Sequence, residues 1–177
     1  MSLQTEPASA LLRRGLLWIG ALTTLGIAVD LAAERHWTQP SQFIAWGAVA
    51  VLGLAIGMMV RPTAARVRVV RFLAMAVVVA AVVGVWEHIR ANYDAAPLDF
   101  RYAQSWDGLP ALSRWWLAAS KGVGPSPPFA PGALAQVALC VLLASVRHPA
   151  LSVEQRTPDL LPGPAQDGAV NSSHKGR

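Results

Sequence analysis

Four apolar blocks, near residues 12–33, 43–60, 69–89 and 129–146, constrain this chain more than any other feature. Each has the length needed to cross a hydrocarbon core of roughly 30 Å, which takes about 20 helical residues. A helix of a soluble bundle carries a narrow apolar stripe and a charged outer face. Here Phe43 to Val60 bears no charge on any face, and neither does Phe129 to Val146. Charged residues are 14% of the chain and hydrophobic residues 54%, against roughly 25% charged in ordinary soluble domains. The expected fold is therefore all-α: a four-transmembrane-helix bundle forming one domain over residues 1–149. A Pro-, Gly- and Ser-rich tail without apolar periodicity follows over 150–177 and is expected to be a disordered cytoplasmic segment.

The arginines orient the bundle. Arg13 and Arg14 precede the first block, Arg61, Arg66, Arg68 and Arg71 crowd the connection between the second and third, and Arg147 and His148 follow the fourth. All three regions fall on one side of a four-span chain. The other side mixes Asp30, Glu34 and Arg35, then Arg90, Arg101, Arg114 and Lys121 against Glu87, Asp94, Asp99 and Asp107. Excess Lys and Arg stays in the cytoplasm, so both termini are expected there and the 90–128 loop outside. The same argument disposes of nucleic acid as a partner. The net charge of +5 is carried mostly by arginines beside spans, where it is a topology signal. The competing reading of the N-terminus is a cleaved signal peptide with Arg13-Arg14 as its basic region. Asp30-Leu31-Ala32-Ala33 offers no clean Ala-x-Ala site, and cleavage would put the four-arginine loop on the wrong side.

Within the blocks the cues concern packing. Gly53 and Gly57, and Ala76, Ala80 and Gly84, are small-xxx-small spacings that permit close helix approach. The lone Cys140 has no intrachain disulfide partner and is expected to be a small buried residue. In the outer loop, Asp107-Gly108-Leu109-Pro110 marks a helix start. Leu112, Trp115, Trp116 and Ala119 then share one face, as in a short helix lying in the membrane interface. Gly122 to Gly132, dense in Gly and Pro, is expected to be an extended entry into the fourth span.

One constellation carries chemistry. Asp30 and Glu34 are one helical turn apart at the outer end of the first span, with His36 just after; Glu87 and His88 stand at the outer end of the third, and Gln136 lies in the outer third of the fourth. The alternating topology places them all at similar depth on one side. Neutral imidazole with carboxylate suits a metal ion such as zinc, iron or copper. A haem between His36 and His88, a proton relay and a quinone headgroup are the other functional readings. The plain reading is a set of interfacial polar groups paired with Arg35 and Arg90 and wetted by lipid headgroups. No phosphate-cradling glycine loop, cysteine pair at metal spacing or serine elbow is present, and no charge sits at the centre of a span, where a proton-driven transporter needs one.

The run Pro97-Leu98-Asp99-Phe100-Arg101-Tyr102, then Trp106, Arg114-Trp115-Trp116, Gly124-Pro125 and Ala130-Pro131-Gly132, resembles uncharacterised small bacterial four-helix integral membrane proteins. The resemblance covers most of the chain from the first span to Pro149 and brings no activity with it. The leading expectation is a non-enzymatic accessory or structural protein of the bacterial cytoplasmic membrane. It would meet the lipid bilayer and a membrane-protein partner or a second copy of itself. The alternative is a metal- or cofactor-binding membrane protein using Asp30, Glu34, His36, Glu87 and His88.

Overall fold

The computed structural model describes residues 5–156, and among these the chain is helical with no strand. Six α-helices follow one another: α1 (Thr5–Ala33), α2 (Phe43–Met58), α3 (Ala64–Ala95), α4 (Ala111–Ala119), α5 (Gly132–Ser145) and α6 (Pro149–Arg156). Three stretches, Ala8–Ala33, Pro40–Met58 and Ala64–Leu98, are long and apolar enough to cross a membrane; Gly132–Ser145 is a shorter apolar helix.

The breaks have local causes. Pro62 cannot continue α2 because it lacks an N–H and its ring crowds the preceding turn. Thr63 is extended, and its hydroxyl accepts the Arg66 backbone N–H at 3.3 Å to cap α3. α3 ends just ahead of Pro97, which has no N–H to continue the helical ladder; Ala96 stays in the right-handed region and opens a short 3-10 turn, Ala96–Leu98. The fourth block, expected over 129–146, is helical over only 14 residues, about 21 Å of rise. Pro125, Pro127, Pro128 and Pro131 withhold the N–H groups that an earlier start would use.

That short helix is the centre of the bundle. α5 packs chiefly on α3 and α1 and touches α2 as well. Leu52, Val67, Val70, Val77, Val137 and Val141 are buried there, interleaved with Ala55, Ala74, Ala138 and Ala144, whose small side chains let the backbones approach. The reverse faces stay apolar: Trp18, Leu22, Leu25, Leu54, Phe72, Val79 and Leu143 are all exposed. Gly84 lies against the Pro131 ring, where a Cβ would stand 3.0 Å away. Gly53 and Gly57, by contrast, face open space and, among the described residues, bring α2 close to no other helix. Cys140 is half-buried rather than enclosed.

The arginine-bearing ends converge as expected. Arg71 of α3 donates from Nη2 to the Ser145 carbonyl at 2.6 Å and from Nε to the Ser145 hydroxyl at 3.1 Å, while that hydroxyl donates to the Leu142 carbonyl at 2.7 Å. A cation thus satisfies the last carbonyl of α5, and the hydroxyl it holds satisfies that of Leu142. Arg71→Ala is expected to lower stability by about 1.5–3 kcal/mol, the range for hydrogen bonds to a charged group. Arg71→Lys restores only part, because an ammonium has no planar fork. Unfolding midpoints in mild detergent check both.

His148, expected as a surface residue, is half-buried beside Arg13 and Arg71 and accepts the Ala150 N–H through Nδ1 at 3.2 Å. Burial pushes its pKa below the ordinary imidazole value, and the charges of Arg13 and Arg71 push the same way. The unfolded chain therefore takes up the proton first. Stability is full above the unfolded value of about 6.5 and falls as pH drops below it, levelling off beneath the folded pKa. His148→Gln is expected to flatten that loss in thermal melts between about pH 7 and pH 5.

The tail differs from expectation at its start. Pro149–Arg156 is helical and packs on α3, with Ala150 and Leu151 against the main core. The remainder of the expected disordered segment, with His174, lies outside the described residues.

Candidate functional site

At the end of the bundle opposite the arginines, a cavity of about 390 Å³ opens between α1, α2, α3 and the segment that leads into α5. Asp30, Glu34, His36, Glu87 and His88 all line it. Two facts bring them together. The Glu34 N–H bonds the Asp30 carbonyl at 2.9 Å, so one more helical turn keeps the two carboxylates on one face. The α1–α2 corner is then pinned: Trp46 Nε1 donates to the His36 carbonyl at 2.8 Å, and Trp37 lies 6.2 Å from the Trp46 ring. Opposite, α3 supplies Glu87 and His88. The lower wall is apolar, with Ile27, Leu31, Ala48, Ala80, Val83 and Leu134.

His88 is the best-defined group in the cavity. Its Nδ1 lies 2.7 Å from the Pro127 carbonyl oxygen. A carbonyl only accepts, so Nδ1 carries the proton, and in the neutral ring Nε2 holds the lone pair. This is how an imidazole is oriented to act as a ligand, base or hydrogen-bond acceptor. Gln136 is exposed and takes no part in the lining, and neither Arg35 nor Arg90 lines the cavity. Arg90 pairs instead with Asp94 at 3.9 Å, an exposed contact of little energetic weight. Among the described residues, no group of three or more His, Cys, Asp or Glu side chains gathers closely enough to hold a metal ion. The five residues share one cavity but are spread around its rim.

What holds the rim is a residue the sequence does not advertise. Asn92, fully buried on α3, donates from Nδ2 to the Ala118 carbonyl at 3.1 Å and to the Ser126 carbonyl at 2.8 Å, and its Oδ1 accepts the Ser126 N–H at 2.8 Å. This latch ties α3 to both α4 and the Gly/Pro segment. Gly124, at φ +77°, presses its backbone against Asn92. From there the segment runs down α3, through the His88–Pro127 bond to the Gly84–Pro131 contact. An asparagine three turns beyond the core of an apolar block looks like any interfacial polar residue. The paired signal was Gly124 before Pro125, which marks a special backbone position.

The outer loop is likewise better ordered than a free interfacial helix. Trp115 of α4 stacks on Tyr93 at 4.4 Å and on Trp86 at 5.4 Å, and Trp106 meets Tyr93 edge-on at 5.4 Å. Ala96, Trp106, Ala118 and Val123 form a second, small core beneath. The face expected to lie together splits: Trp115 docks on α3, whereas Leu112 and Trp116 stay exposed. Arg101 donates to both Asp99 carboxylate oxygens, at 2.6 and 3.0 Å, and to the Gly122 carbonyl at 2.8 Å. Those bonds hold the Asp99 carboxyl below the usual carboxylate range.

Comparison with protein-family models, with curated proteins and with solved structures yields no match.

Proposed function

We propose that this chain is a four-span integral membrane protein of the bacterial cytoplasmic membrane, with both termini cytoplasmic, and that it acts as a non-enzymatic binding subunit of a larger membrane assembly. The observation that carries the reading is the cavity at the end opposite the arginines, lined by all five of Asp30, Glu34, His36, Glu87 and His88. Ionisable groups grouped at one depth around an apolar hollow fit a ligand site at the outer membrane surface. The exposed belt of Leu, Val, Phe and Trp supports a lipid surround. The enclosure of α5 by α1 and α3 supports its counting as a span despite its length, because non-helical backbone at membrane depth is tolerated where protein covers it.

Topology is tested in a Cys140→Ala background with Ser105→Cys or Ala65→Cys. In intact spheroplasts a membrane-impermeant maleimide is expected to label Ser105→Cys at once and Ala65→Cys only after lysis. The reverse order would overturn the orientation. A second reading, a haem or quinone protein, is favoured by the fixed tautomer of His88. An optical spectrum and elemental analysis of purified protein separate the two. A haem band or near-stoichiometric metal, lost in His36→Ala/His88→Ala, would put the second reading first.

A further inference from the structure

We infer that the outer cavity takes an amphipathic organic cation: a single ammonium group on an apolar body, with no anionic group attached. The inference rests on the cavity being a binding site, as proposed above, and adds the class of ligand.

Charge complementarity carries it. Asp30 and Glu34 stand one turn apart on one wall and Glu87 comes from another, while no lysine or arginine is among the lining residues. All three carboxylates are exposed at the rim, and this acidic mouth favours a cationic headgroup over a neutral or anionic one. Hydrogen-bonding capacity leans the same way. The Nδ1 proton of His88 is spent on Pro127, which leaves an acceptor, and the Trp46 N–H beside the cavity is spent on His36. Below this rim, Ile27, Leu31, Val83 and Leu134 offer an apolar wall to the body of the ligand. The volume of about 390 Å³ lies within the range of small-molecule sites, roughly 300–1,000 Å³. A phospholipid is a poor fit despite its ammonium, because its phosphate would face the same three carboxylates. α2 and α5 carry no ionisable side chain except the thiol of Cys140, so no charged relay continues inward from the rim along either. The site is built to hold a cation, not to pass it on.

The test is equilibrium dialysis of the full-length protein in neutral detergent, against detergent alone. The probes are phenyltrimethylammonium and its uncharged carbon isostere, tert-butylbenzene. Saturable binding of the cation is expected, with the isostere weaker by at least about tenfold. Asp30→Asn/Glu34→Gln/Glu87→Gln changes charge at constant shape. It is expected to weaken the cation by about tenfold or more while leaving the thermal midpoint in place. Dodecylamine should displace the probe and phosphatidylethanolamine should not. Equal binding of cation and isostere, unchanged in the triple variant, would leave the cavity a binding site and overturn the charge inference. Displacement by phosphatidylethanolamine would assign the site to a lipid headgroup and overturn it as well. Absence of binding by every probe would overturn both the inference and the site.

Discussion

Gly124→Ala is expected to lower the stability of the half of the protein that carries the 99–130 loop by about 2–5 kcal/mol. A left-handed backbone costs a β-carbon roughly 1–2 kcal/mol, and overpacking adds about 1–3. At φ +77° the new methyl group would fall against Asn92 Oδ1 and only 2.5 Å from Asn92 Cα. The Cα belongs to the backbone of α3, so no rotamer change makes room. The loop must lift away, taking the Ser126 and Pro127 contacts with it. Thermal melts in mild detergent, with limited proteolysis across residues 99–130, measure the effect. Gly53→Ala and Gly57→Ala are the controls. Both sites face open space within a helix, so alanine is expected to be neutral or to stabilise by up to about 1 kcal/mol. A Gly124→Ala protein that melts with wild type would mean that the latch does not hold the loop.

Asn92→Ala is expected to be as severe, about 2–5 kcal/mol, by a different route. It deletes three hydrogen bonds and leaves the Ser126 N–H and the Ala118 and Ser126 carbonyls without those partners. The Ala118 carbonyl is buried, and orphaning such a group costs about 1–3 kcal/mol; the two Ser126 groups are part-buried and add the net loss of their bonds, about 0.5–1.5 kcal/mol each. Asn92→Asp is no rescue: it keeps an acceptor for Ser126 but turns a carboxylate towards two carbonyl oxygens. Hydrogen exchange at the Ser126 amide is expected to rise in both variants. Because Gly124 and Asn92 serve one contact, the double variant should lose less than the sum of the two. Strict additivity would show that they act separately.

The long elements were legible because their causes are local. Length, charge depletion and Pro62 delimit α2 and the end of α1 within a few residues, whereas α1 starts earlier, at Thr5, and α3 runs further at both ends, from Ala64 to Ala95. The rim of the cavity was legible for a different reason. The four-residue spacing of Asp30 and Glu34 and the up-and-down alternation expected of successive apolar blocks were enough to place the five residues at one end. Alternation says nothing of distance, however, and so could not separate a metal cluster from a lined hollow. Gln136 shows the same weakness, since depth alone did not say which way it faced. The spacing of Gly53 and Gly57 states only that approach is permitted, not from where, and no other helix among the described residues takes it up. Asn92, Arg71 and Ser145 were invisible because each is defined by a partner distant in sequence: Ala118 and Ser126 for the first, and one another for the other two.

The central position of α5 has a consequence for how the molecule is made. The helix that fills the middle of the bundle is the last of the apolar helices to leave the ribosome, and its principal neighbours, α1 and α3, are made long before it. Until it arrives, Leu52, Val70 and Val77 can meet across α2 and α3 but lack Leu134, Val137 and Val141, which complete their core. The early helices therefore hold a half-built core, which closes only when α5 enters between α1 and α3. A chain truncated before Gly132 is expected to keep its helices but to be cleaved by proteases more readily than the full chain.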